Sequence, residues 1–159
     1  MTGRCVNIHA SCVILGRGAF GSPPGAGILL LGRSGAGKSD LALRLIAEGG
    51  RLVSDDRTEL YVARGALWGR PPARLAGLIE VRGLGILKLP HAPRARIALA
   101  VALGRPERLP EPRHYRPLPV KEAVALVTIA PFEASAPAKI AAAVAAFAHG
   151  LFRDDVNPI

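Results

Sequence analysis

Eight residues, Gly32-Arg33-Ser34-Gly35-Ala36-Gly37-Lys38-Ser39, match the pattern G-x-x-x-x-G-K-[ST] in full, and they constrain this chain more than anything else in it. The glycines let the backbone close around phosphate oxygens. The N–H groups of such a loop converge into an anion nest. The helix that follows aims its positive end at the same phosphates. Lys38 is placed to reach the β- and γ-phosphates, and the Ser39 hydroxyl to bind Mg²⁺. The flanks agree with this reading. Ile28–Leu31 is a short apolar run next to glycines, as a buried central strand reads. Beyond the loop, Leu41, Ala42, Leu45 and Ile46 recur at helical spacing, and Gly49-Gly50 supply a stop. Arg51–Ser54 reads as the next strand. Strand, glycine loop, helix and strand make one βαβ-like unit.

A P-loop enzyme needs a carboxylate for Mg²⁺, and often a second for the nucleophile. Asp55-Asp56 sit together where the second strand of this unit ends. Adjacent strand residues point to opposite faces. Both carboxylates therefore reach one site only if the strand stops there and the chain turns, which Arg57-Thr58 permit. In open α/β sheets, ligands sit at such strand ends.

The remainder reads as more α/β structure. Residues 5–15 look like one strand, and 16–27 like a loop rich in Gly, Ser and Pro. Glu59–Ala63 and Ala66–Trp68 flank Arg64-Gly65 as a hairpin, with Trp68 in its core or on its face. Pro71-Pro72 break the chain ahead of a short helix. Ile97–Leu103 alternates weakly and reads as strand. Gly104–Pro119 holds five prolines and reads as an ordered loop. Val124–Ile129 reads as a last strand, and Pro137–His149 as a helix ended by Gly150. The expectation is an α/β fold, with residues 1–159 as a single domain.

Composition narrows the class. Half the residues are hydrophobic and 21% are charged, which excludes a disordered chain. Aromatics make up only 4%, so Leu, Val, Ile and Ala must build the core. The formal net charge of +9 favours anionic partners. The arginines are scattered, however, without the block of like charges that marks a nucleic-acid arm. Arg105, Arg108, Arg113 and Arg116 cluster in the proline-rich stretch, where guanidinium forks suit phosphate or an acidic partner. Cys5 and Cys12 lack the companions of a zinc site and read as reduced thiols. His91, His114 and His149 are isolated. No signal peptide is visible, and the Ala136–Ala148 run is too short to span a bilayer, so a cytoplasmic protein is expected.

To this point an ATP-using kinase, a small-molecule kinase on the same scaffold and a nucleotide sensor without catalysis all remain open. One more string bears on the choice. In Ile79-Glu80-Val81-Arg82-Gly83-Leu84-Gly85-Ile86, Glu80 and Arg82 share a face if extended, and Gly83 and Gly85 allow positive φ.

With that string in place the chain resembles the HPr kinase/phosphorylase family. The family shows the P-loop G-x-S-G-x-G-K-S, an Asp-Asp-Arg about sixteen residues beyond it, and the signature E-[IV]-R-G-L-G-I. Here these stand in order as Gly32–Ser39, Asp55-Asp56-Arg57 and Glu80–Ile86. The resemblance implies a P-loop kinase domain similar to phosphoenolpyruvate carboxykinase, with a mixed sheet and flanking helices. It implies ATP- and Mg²⁺-dependent phosphorylation of a serine on HPr, the phosphocarrier protein of the sugar phosphotransferase system, with reverse phosphorolysis in many members. It also implies a homo-oligomer, commonly a hexamer. Residue by residue, Gly32, Arg33, Ser34, Gly35, Ala36, Gly37, Lys38 and Ser39 would hold the nucleotide. Ser39, Glu80 and Asp55 would hold the metal, and Asp56 would be the base. His9 resembles a family histidine, Arg108 an active-site arginine, and Leu118-Pro119-Val120-Lys121 a loop tied to dephosphorylation. The sequence departs from the family in three ways. It resembles a short form lacking an extra N-terminal domain. It carries added residues between His9 and the P-loop. After Lys121 it continues Glu122-Ala123-Val124 where the family usually has Gly-Arg-Asn, which favours the kinase direction over the phosphorylase.

Overall fold

The computed structural model describes residues 4–153. A mixed nine-stranded sheet, a separate two-stranded hairpin and two α-helices make up its regular structure. The sheet strands are β1 (Cys5–Ile8), β2 (Ala10–Ile14), β3 (Ala26–Leu31), β4 (Arg51–Ser54), β5 (Thr58–Ala63), β6 (Ala66–Arg70), β9 (Ala95–Leu103), β10 (Arg113–Tyr115) and β11 (Val124–Ile129). The hairpin is β7 (Leu78–Val81) and β8 (Gly85–Lys88). The helices are α1 (Lys38–Ala47) and α2 (Ala136–His149). Their amphipathic faces supply Leu41 and Leu45, and Ile140 and Val144, to one buried layer.

The order across the sheet is β1-β5-β6-β9-β3-β2-β4, and β11 joins the end of β9 with β10 beyond it. β3, β9 and β11 run parallel. β2 runs antiparallel between β3 and β4, so the two strands of the βαβ-like unit are not neighbours. This could not be read locally, because β2 precedes the unit in sequence. The single strand expected over residues 5–15 is in fact two. The chain bends at His9, and β1 pairs with β5 while β2 pairs with β3 and β4.

Both helices pack on one face, over Val13, Ile28, Leu30, Leu99 and Val101. The other face curls on itself around Ala10, Cys12, Leu29, Leu60, Ile97 and Ala100. A register shift between β3 and β9 leaves Ala98 without a partner. Such a bulge inserts one residue and reverses the alternation. Ile97 thus faces the curl while Leu99 and Val101 face the helices, which is why this strand alternates only weakly in sequence. Fully buried Ile28, Leu29, Leu30 and Leu99 each contribute roughly 1.5–3 kcal/mol of transfer free energy.

The Arg64-Gly65 hairpin is present, with both residues at positive φ (52° and 69°) as a primed turn requires. The proline-rich stretch 104–119 is not all loop, since β10 lies within it, paired with β11. Residues 16–25 join β2 to β3 at the end of the sheet opposite the P-loop. They are held to α2 by Ser22 Oγ donating to the Ala141 carbonyl (3.1 Å) and by His149 Nε2 at 2.8 Å from the Gly21 carbonyl.

Candidate active site

The P-loop leaves β3 at Leu31, and α1 begins at Lys38. Gly37 caps the helix with a φ of 102°, a conformation natural to glycine. No side chain caps the first turn of α1, so its N–H groups are left for an anion. Residues 32–36, with Leu31, Ala102 and Leu103, line a shallow cleft of about 520 Å³ that is open to solvent. Lys38 is nearly buried. Its Nζ donates to the carbonyls of Gly32 (2.7 Å) and Arg33 (2.9 Å), which hold it against the loop it serves. Burial lowers the Lys38 pKa from its ordinary value, against the opposing pull of the Asp56 and Asp55 charges. An arriving phosphate would relieve that cost.

Asp55 is the hub of the site. It is buried, and four hydrogen bonds converge on its carboxylate. Ser39 Oγ donates to Oδ1 at 2.8 Å and to Oδ2 at 3.0 Å. Ser11 Oγ donates to Oδ1 at 2.7 Å, and the Glu80 backbone N–H to Oδ2 at 3.2 Å. β4 ends at Ser54, and Asp56 adopts a left-handed φ of 68°. The Arg57 N–H then closes onto the Asp55 carbonyl at 2.8 Å, while Ser54 Oγ donates to the Arg57 carbonyl. The chain therefore turns where two adjacent carboxylates need it to. The Asp56 side chain, 64% exposed, lies with Oδ1 at 2.7 Å from His9 Nε2.

Ser11 is the residue that sequence reasoning missed. It is fully buried, and its hydroxyl both donates to Asp55 and accepts the Asp56 N–H at 3.2 Å. The available signal was a lone hydroxyl inside an apolar strand, since a buried polar group demands partners. Thr58 is a second case, its Oγ1 donating to the Ala10 carbonyl at 2.9 Å.

The structure thus brings together His9, Lys38, Ser39, Asp55, Asp56 and the backbone of Glu80. The Glu80 side chain is exposed, and Arg82 lies in the turn between β7 and β8 rather than beside it on a strand. Arg108 stands on the exposed loop after β9, without a hydrogen-bond or ion-pair partner among the described residues. That loop departs beside Leu103, which packs against Gly32.

Among the described residues, no three His, Cys, Asp or Glu side chains gather as a metal cage. The oxygen groups that could hold a metal beside the P-loop are instead the Ser39 hydroxyl and the Asp55 carboxylate, which stand 2.8 Å apart. One hydroxyl and one carboxylate, with substrate phosphates and water completing the octahedron, suit Mg²⁺.

A family model described as HPr Serine kinase C-terminal domain matches residues 16–103. The match includes Gly32–Ser39, Asp55, Asp56 and Glu80, and leaves His9 and Arg108 outside. A HPr kinase/phosphorylase of Streptococcus thermophilus is 50% identical over 64 residues, covering 40% of this chain and 21% of that protein. One from Aromatoleum aromaticum is 44% identical over 99 residues, covering 58% of this chain and 32% of that protein. The chain thus aligns with about a fifth to a third of the length of these relatives. A solved structure, the Hpr(Ser) kinase/phosphatase from Coxiella burnetii, superposes with a TM-score of 0.68 at 26% identity, covering 87% of this chain and 88% of that one. The shared mixed α/β fold includes the curled sheet. Among the described residues, no helix is long and apolar enough to cross a membrane.

Proposed function

This chain belongs to the HPr serine kinase C-terminal domain family, and from that premise we propose that it is a Mg²⁺- and ATP-dependent protein-serine kinase whose substrate is HPr. The observation that carries the proposal is the pairing of an exposed carboxylate, Asp56, with a buried one, Asp55, at the start of the P-loop helix. The exposed carboxylate can meet a hydroxyl on another protein. The buried one can hold a metal beside the phosphates.

In this reading the P-loop backbone, the free N–H groups of α1 and Lys38 bind the phosphates of ATP and fix the line of attack. Mg²⁺, when bound, offsets negative charge on the phosphate oxygens. Ser39 and Asp55 would hold it, and the Glu80 carboxylate would extend that set. Asp56 takes the proton from the attacking serine hydroxyl as the new O–P bond forms and the bond to ADP breaks. His9 holds Asp56 Oδ1, leaving Oδ2 to face the substrate. Arg108 offsets charge as it moves to the leaving oxygen. The reverse reaction, with inorganic phosphate attacking phosphoserine, uses the same groups. The sequence Glu122-Ala123-Val124 after Lys121 weighs against it. We further propose that the 159 residues act as one catalytic domain, cytoplasmic and oligomeric, with a hexamer as the expected assembly.

The decisive experiment is the intact mass of HPr after incubation with this protein and Mg-ATP. A gain of one phosphoryl group, mapped to serine, supports the reading. Unmodified HPr alongside a phosphorylated small metabolite from a parallel panel would replace it.

A further inference from the structure

Phe132 is 71% exposed, an unusual position for one of only four phenylalanines in the chain. Its ring lies on the P-loop itself. A Cβ built on Gly37 would stand 2.9 Å from Phe132 Cζ and 3.1 Å from Cε1. The ring is held in place by the segment that carries it. Arg44, on α1, donates to the carbonyls of Pro131 and Glu133, the residues on either side, while its Nε is paired with Asp40 at 3.1 Å. Lys139 pairs with Glu133 at 2.6 Å and ties the same segment to α2.

Topology gives this ring a direction. Asp56, the base, and Asp55 and Ser11 that stand with it all lie on the β2–β4 side of β3. The other parallel strands, β9 and then β11, lie on the opposite side. A nucleotide with its terminal phosphate at Asp56 must lead its nucleoside away from that end. Phe132 follows the carboxyl end of β11, on the far side, and ligands of open α/β sheets lie across such ends. An exposed aromatic face beside a phosphate loop offers what a nucleobase needs, a flat apolar surface on which to stack.

Resting on the nucleotide-binding reading above, we propose that Phe132 is the stacking platform for the base of the bound nucleotide. The Arg44 clamp positions it, and its contact with Gly37 sets the distance between base and phosphates. Stacking alone reads no base edge, so the platform favours a nucleoside over bare polyphosphate more than it favours one base over another.

The test is direct binding of Mg-ATP and of Mg-tripolyphosphate to the whole chain, in wild type, Phe132→Ala and Phe132→Trp. The proposal expects Phe132→Ala to weaken ATP about tenfold or more and to leave tripolyphosphate within about twofold. It expects Phe132→Trp to keep ATP affinity, with its added indole fluorescence quenched by ATP and not by tripolyphosphate. Unchanged ATP binding in Phe132→Ala would overturn it, and so would equal weakening of both ligands, which would mean that the ring only shapes Gly37. If wild type binds neither ligand, the nucleotide-binding reading itself fails and takes this proposal with it. Wild type that binds both, with no preference lost in Phe132→Ala, overturns the platform alone.

Discussion

His9 and Asp56 meet at 2.7 Å although 47 residues separate them in sequence. Each occupies a break in its strand. His9 is the corner between β1 and β2, and Asp56 is the left-handed turn after β4. Neither residue lies in the middle of a regular element, which leaves both side chains free to aim. Asp56→Asn keeps the shape of the turn and removes the base. Phosphorylation of HPr should fall about 10²- to 10⁴-fold while Mg-ATP still binds. His9→Ala should cost less, because it removes only the orienting partner. Single-turnover rates measure both, and wild-type rates in Asp56→Asn would refute the role of Asp56.

Lys38 makes two hydrogen bonds to its own loop and is poised to exchange them for phosphate oxygens. Lys38→Ala should weaken Mg-ATP binding about 10- to 100-fold, as loss of a charged hydrogen bond predicts, and should abolish transfer to HPr. Calorimetric titration checks the first outcome, and the mass of HPr the second.

The sequence revealed the P-loop, β4, the Arg64-Gly65 hairpin, β11 and α2, because each is marked by local periodicity, a glycine or a helix stop. Pairings set by distant parts of the chain were not legible. Nothing near Cys12 announces that β2 will separate β3 from β4, and nothing in the prolines of 104–119 announces β10. The candidate residues were legible as types. Their arrangement was not, since Glu80 reaches Asp55 through its backbone and Ser11 carries no motif.

Ser11→Ala leaves buried Asp55 one donor short and takes the Ser11 acceptor from the part-buried Asp56 N–H. Stability should drop by about 1–3 kcal/mol, the cost of unsatisfied buried polar groups. Urea denaturation measures this. The Mg²⁺ concentration for half-maximal activity should rise as well, because Asp55 loses a restraint. A variant as stable as wild type with unaltered Mg²⁺ dependence would show that the hydroxyl is dispensable.

Gly37→Ala places a side chain at a φ of 102° and against Phe132. Strain of this kind costs on the order of 1–3 kcal/mol, and nucleotide affinity should fall with it. Adding Phe132→Ala relieves the clash and leaves the backbone strain. The double variant should therefore recover only part of the lost stability in thermal or urea melts.

Burial pushes the Cys12 thiol up to about 12, from 9.0 when exposed, because the thiolate would be desolvated. The native state holds this proton where the unfolded chain releases it. The stabilising contribution is complete below pH 9 and fades as pH rises from 9 towards 12. Wild type should thus lose stability relative to Cys12→Ala by up to about 1.4 kcal/mol per pH unit above pH 9. Denaturation of both proteins at pH 8 and pH 10 tests the difference. Iodoacetamide should label exposed Cys5 in the native protein and Cys12 only after unfolding.

The antiparallel placement of β2 between β3 and β4 has a genetic consequence. One codon added or lost within residues 10–14 would shift that strand's alternation by one step, carrying the Ser11 hydroxyl off Asp55 and changing which face Cys12 takes. The same change within residues 16–25 would alter only a bridge at the opposite end of the sheet. Length variation among descendants of this gene should therefore accumulate in the second segment and be purged from the first.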